Sequence, residues 1–208
     1  MGTHRMRSLL VLVALLAAGC AAPGGVVTGD RPPNVGRAEL TVLDDAASIS
    51  VRATDLDGRL FRTSGPVPHA VVEHGVVKVS CTGSGDIELD TGVVWSVRVA
   101  GGASAQTVDL RGARVGAVTF EAGASRIDLR LPSSTAVVPV RVVAGASEFV
   151  LHAPDGARIT LGGGASQVVL DGVARDDVAA GTVLTTGDPV RYEVTVEAGV
   201  SRLIVARD

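Results

Sequence analysis

Aromatic residues make up only 2% of this 208-residue chain: one Trp, one Tyr and three Phe. Platforms that stack bases or sugar rings are built from such side chains, so they are scarce here. A basic surplus is missing too, since 19 Lys and Arg face 22 Asp and Glu. The first nineteen residues hold Arg5 and Arg7 and no acid, so removing them leaves 17 basic and 22 acidic residues. That balance argues against nucleic acid or an anionic lipid surface as the main partner. There are two cysteines, Cys20 and Cys81. With Cys20 committed elsewhere, no internal disulfide is available. Cys81 has no His or basic residue close by in sequence to activate it, and reads as a small buried filler. No helix signal of consequence follows the leader.

What the chain does have is a repeat. Five stretches read almost alike: residues 97–104, 118–125, 140–147, 159–166 and 194–201. Each alternates apolar and polar residues, passes through a small residue and a key glycine, and then reaches a serine. The glycines are Gly102, Gly123, Gly145, Gly164 and Gly199; the serines are Ser104, Ser125, Ser147, Ser166 and Ser201. Beyond each serine the alternation resumes, as in Ile127-Asp128-Leu129 and Phe149-Val150-Leu151. The first copy fits this phase if two extra residues follow Ser104, giving Val108-Asp109-Leu110. Period-two alternation on both sides of a small-residue corner predicts strand, corner, strand. Such a unit cannot bury its apolar row alone, whereas stacked units bury a continuous core. The fold expected is therefore an all-β, single-domain β-solenoid of coils about 19–22 residues long, with a repeat-built β-sandwich as the second choice. The glycine steps are 21, 22, 19 and 35 residues. Weaker copies lie near 40–51 and 83–89, and eight or nine coils stacked in chain order would span ~40 Å.

The first nineteen residues read as a targeting segment. Arg5 and Arg7 precede an apolar run from Leu9 to Ala18, too short to span a bilayer comfortably, and Ala17-Ala18-Gly19 leads into Cys20. This resembles the bacterial lipoprotein signal, with Ala17 where Leu is usual. The resemblance implies cleavage before Cys20, lipidation of its sulfur and export, which places the chain on the extracytoplasmic face of the cell membrane. Residues 20–37, with Pro23-Gly24-Gly25 and Pro32-Pro33, read as a flexible tether, and residues 38–208 as the folded domain.

Catalytic and metal signatures are thin. A nucleophile elbow needs Gly two places after its serine, and those places hold Gln106, Ile127, Phe149, Val168 and Leu203. The serine row reads instead as hydroxyls that satisfy backbone groups at each corner. His69, His74 and His152 show no metal-ligand spacing and read as surface residues. Gly83-Ser84-Gly85-Asp86 is a faint match to calcium-binding turns, but the next corner offers no Asp at that phase. Asp109 and Asp128 share one phase and Arg111 and Arg130 another, so two coils could carry an Asp/Arg grid. Stacked opposite charges on a solvated face explain it as well as a site does. The outward position of Asp128 becomes Val150, Val169 and Ile204 in later copies, which predicts an apolar face. Either it is a contact surface, or residues 172–190 fold over it.

The Gly-Ala-Ser corners with Ile-Asp-Leu and Val-Asp-Leu strands behind an export signal resemble the adhesin-type β-solenoid domains of bacterial envelope proteins. Similar domains form the C-terminal part of some cell-envelope stress regulators. The resemblance covers about residues 38–208 and implies a non-enzymatic protein with no cofactor and no metal. The expectation is a lipid-anchored, adhesin-like envelope module bound to an envelope protein or glycan. An accessory protein of envelope-stress signalling ranks second, and an enzyme acting on cell-wall polysaccharide third.

Overall fold

The computed structural model describes residues 25–66 and 68–207. Cys20 and the leader, residues 1–19, lie outside the described residues. The described residues are all-β, and their strands form one sheet of ten, here sheet A, and one of nine, sheet B.

The repeating unit is a coil that runs along sheet B, turns a three-residue corner and continues along sheet A. In chain order the coils are β2 (Arg37–Val42) with β3 (Ala46–Thr54), then β6 (Val76–Ser80) with β7 (Ser84–Asp90). Next come β8 (Val94–Val99) with β9 (Ala103–Asp109), β10 (Arg114–Phe120) with β11 (Ala124–Arg130), and β12 (Val138–Val142) with β13 (Ala146–His152). The last two are β14 (Gly156–Leu161) with β15 (Ala165–Leu170), and β18 (Val190–Val196) with β19 (Val200–Ala206). Within each sheet these coils pair in parallel and in register, for example Ile127 with Phe149 and Phe149 with Leu203. Equivalent positions thus form columns along the stack. One inward column of sheet A reads Ile87, Val51, Val108, Leu129, Leu151, Val205, Leu170, every side chain buried. Sheet B answers with Val77, Leu40, Val97, Val118, Val140, Val194 and Ile159. Stacked aliphatic columns between two sheets are the core, and the alternation read from the repeats is their signature.

The remaining strands cap the ends. β4 (Arg59–Ser64) and β5 (His69–Glu73) run antiparallel to β7 and β6, and β1 (Val26–Asp30) runs antiparallel to β4. At the other end β16 (Val173–Val178) and β17 (Thr182–Thr186) run antiparallel to β15 and β14.

Three expectations are corrected. Val26–Asp30, placed in the tether, is an edge strand of sheet A, because β4 offers it an open ladder. The coils number seven among the described residues; the other apolar runs, Leu60-Phe61, Val71-Val72 and Val183-Leu184, belong to the caps. The coils also do not stack in chain order. Sheet A reads β1-β4-β7-β3-β9-β11-β13-β19-β15-β16, so the last coil sits between the two that precede it. The long step between Gly164 and Gly199 holds the cap strands β16 and β17.

Candidate functional site

Outward residues of sheet A form three rows along the stack. One contains Arg62, Glu88, Arg52, Asp109, Arg130 and His152. The middle row contains Thr107, Asp128, Val150, Ile204, Val169 and Ala174. The third contains Arg126, Glu148, Arg202, Gln167 and Asp176. The outer two rows are ladders of opposite charge. Arg62 and Arg52 grip Glu88 from both sides, and Glu148 lies between Arg126 and Arg202. Hydrogen bonding from Arg62, followed by that from Arg52, holds the Glu88 carboxyl at about 2.

A second enclosed charge on this face is Asp128, 9% exposed near the centre of the sheet. Arg130 Nε donates to its Oδ1 at 3.2 Å, Arg126 Nη2 lies 3.5 Å from Oδ2, and His152 Nε2 stands 4.0 Å from Oδ1. His152 also borders a small cleft of about 220 Å³ with Arg111, Leu131, Pro132, Ser133 and Pro154. Thus the structure brings together Asp128, Arg130 and His152, which lie on two successive coils. Sequence reasoning read His152 as a surface residue; its place one rung from Arg130 was the available signal.

The Asp109/Asp128 grid is not as expected. Asp128 faces Thr107, while Asp109 faces Arg130. Arg111 lies beyond the end of β9 and folds back on Asp109, Nε to Oδ1 at 3.0 Å and Nη2 to Oδ2 at 2.6 Å, which lowers that carboxyl below its ordinary range. The error came from the two residues inserted after Ser104. No insertion exists: Gln106 takes the inward place of Ile127 and is 1% exposed. Carboxylates clamped by arginine in this way are poor proton acceptors at neutral pH.

Val150, Val169 and Ile204 do lie in one row, but not as an open apolar patch. Val150 is 4% exposed, and the other two are half-buried. On one side they border the row of Glu148, Arg202 and Gln167, and on the other His152 and Ala206. Residues 172–190 do not fold over it either: β16 extends the sheet sideways and sets Ala174 beside Val169.

The serine row is also corrected. Ser104, Ser125, Ser147, Ser166 and Ser201 are exposed, and their hydroxyls have no hydrogen bond among the described residues. Corner amides are satisfied from coil to coil instead, as in Val143 N to Phe120 O at 2.8 Å and Gly162 N to Val196 O at 2.7 Å. The key glycines follow the same logic. A Cβ on Gly145 would stand 3.0 Å from Gly199 O, and one on Gly123 would stand 3.3 Å from Gly145 O. Cys81 is buried, and burial pushes its thiol up. It occupies the space where a side chain at Gly85 would point, 2.6 Å from such a Cβ. Among the described residues no cluster of His, Cys, Asp and Glu could hold a metal ion.

No protein family model matches the chain, and no curated protein matches it by sequence. Two solved structures match the chain. One is a candidate cell adhesion protein from Clostridium sporogenes: 13% identical, TM-score 0.62, covering 88% of this chain and 99% of that one. The other is a candidate adhesin from Bacteroides fragilis: 11% identical, TM-score 0.31, covering 90% of this chain and 100% of that one. The similarity to the clostridial protein is one of fold, along nearly the whole of both chains.

Proposed function

We propose that this chain is an adhesin-like binding module of the bacterial envelope, held on the extracytoplasmic face of the membrane through lipid on Cys20. It acts by contact and not by turnover, and its partner is an envelope protein or glycan. The observation that carries this reading is the fold match to a candidate cell adhesion protein over 88% of the chain at a TM-score of 0.62. The lipobox-like run before Cys20 supports the location. The sheet A face supports the mode of action: it is rigid, and its charges are fixed by neighbours, which costs little ordering on binding.

Fractionation of cells and binding of the purified chain test it together. The full chain should partition with membranes and Cys20→Ser should not. The purified chain should be retained saturably on cell-wall polysaccharide or on intact envelopes. Arg126→Gln with Arg202→Gln, both on the exposed face, should weaken retention about tenfold, or ~1.4 kcal/mol. Membrane partition of Cys20→Ser overturns the anchor. Absence of retention, or measurable cleavage of the polysaccharide, overturns the binding role.

A further inference from the structure

The coils depart from chain order at both ends of the stack. At the N-terminal end the β2/β3 coil lies between β6/β7 and β8/β9. Stacking in chain order would instead put β6/β7 in the middle. The register fixes what that exchange would do. On sheet A, Glu88 faces Arg52, which faces Asp109. On sheet B, Lys78 faces Thr41, which faces Arg98. Chain order would set Glu88 directly against Asp109 and Lys78 against Arg98. Like charges directly opposite one another in a sheet are destabilising. The observed order puts an arginine between the two acids and a threonine between the two bases.

The C-terminal end obeys the same rule. The inserted coil brings Arg202 to 3.6 Å from Glu148, and Glu197 to Arg141, whose Nε donates to it at 3.1 Å. Chain order would offer those partners Gln167 and Gly162 from the β14/β15 coil, neither of them charged.

We propose that this alternation of charge along the stack selects the coil order, so that near-identical repeats assemble in one non-sequential arrangement. The aliphatic columns cannot do this alone, because most coils present interchangeable Val, Leu and Ile to their neighbours. This inference stands independently of the binding role.

Disulfides report the order directly. In a Cys20→Ser, Cys81→Ala chain, Ser50→Cys with Thr107→Cys joins β3 to β9, which are adjacent and in register. Asp86→Cys with Thr107→Cys joins β7 to β9, two strand spacings apart at ~9.6 Å, beyond disulfide reach. The first bridge should form and the second should not. Adding Arg52→Glu with Glu88→Arg opposes like charges on sheet A in the observed order, and Lys78→Gln removes the clash with Arg98 that chain order would create on sheet B. The 86–107 bridge should then become the main product and the 50–107 bridge should fall to a trace. A folded triple variant that still forms only the 50–107 bridge overturns the proposal. Should that variant fail to fold, Arg52→Gln with Glu88→Gln and Lys78→Gln removes the preference without reversing it. Both bridges should then appear, and exclusive 50–107 bridging would again overturn it.

Discussion

Glu88 is gripped by Arg62 from a cap strand and by Arg52 from the next coil, and it is itself buried. Its carboxyl, held at about 2, lies well below the value of a free glutamate, ~4.3. A depressed carboxylate stabilises the fold above its unfolded pKa and loses that contribution as pH falls through its folded one. The exposed arginine partners weaken the effect by screening, which leaves about 2 kcal/mol at neutral pH. Urea unfolding should show the chain losing this much between pH ~4 and pH ~2, while Glu88→Gln, already weaker at pH 7, loses less over that window. Equal losses in both proteins would remove Glu88 as the cause. Gln106 shows what a single residue hides. Its Nε2 reaches Gly101 O at 3.4 Å, while its Oε1 is buried with no hydrogen-bond partner. A buried glutamine breaks the polar-out rule of strands, so the sequence pattern pushed it outward and shifted Asp109 out of phase.

At the scale of the element, the corners were the most legible feature. Small residues recur there because coils one strand spacing apart bring backbones together at each bend. The demand is uneven, and the sequence does not rank it. A Cβ on Gly101 would run into the carbonyl oxygen of Asp44, a backbone atom that cannot swing away, whereas one on Gly36 would meet nothing within 4 Å. Gly101→Ala should therefore lower stability by about 2 kcal/mol as an overpacking substitution. Gly36→Ala, with no left-handed φ to lose, should be neutral or slightly stabilising. Thermal unfolding of the two variants distinguishes them, and similar midpoints would refute the steric account. The caps were not legible as caps. Their apolar pairs, such as Leu60-Phe61 and Val71-Val72, look like coil strands, and nothing local records that they run the other way. The serines were legible as a row but not in role, because coil-to-coil hydrogen bonds satisfy the corner amides and are invisible in a single repeat.

At the scale of the molecule, the order of the coils makes the C-terminus an internal part of the stack. In a solenoid stacked in chain order, losing the last coil only shortens the rod, because each repeat touches its neighbours alone. Here β18 is paired on both sides, with β12 and β14, and β19 with β13 and β15. Removing residues 188–208 would therefore strip four ladders and take Tyr192, Val194, Val196, Leu203 and Val205 out of the core. Closing the gap by joining β14/β15 to β12/β13 would set Glu148 beside Gln167 and leave Arg141 without its glutamate. The truncated chain should lose its cooperative urea transition and aggregate through the freed strand edges. The matched control is a chain beginning at residue 31, which among the described residues lacks the edge strand β1, paired with β4. It should remain monomeric with a cooperative transition at slightly lower urea. Size-exclusion chromatography with urea unfolding of both chains decides the matter. A monomeric, cooperatively folding C-terminal truncation would mean that the remaining six coils close readily without the charges that now order them.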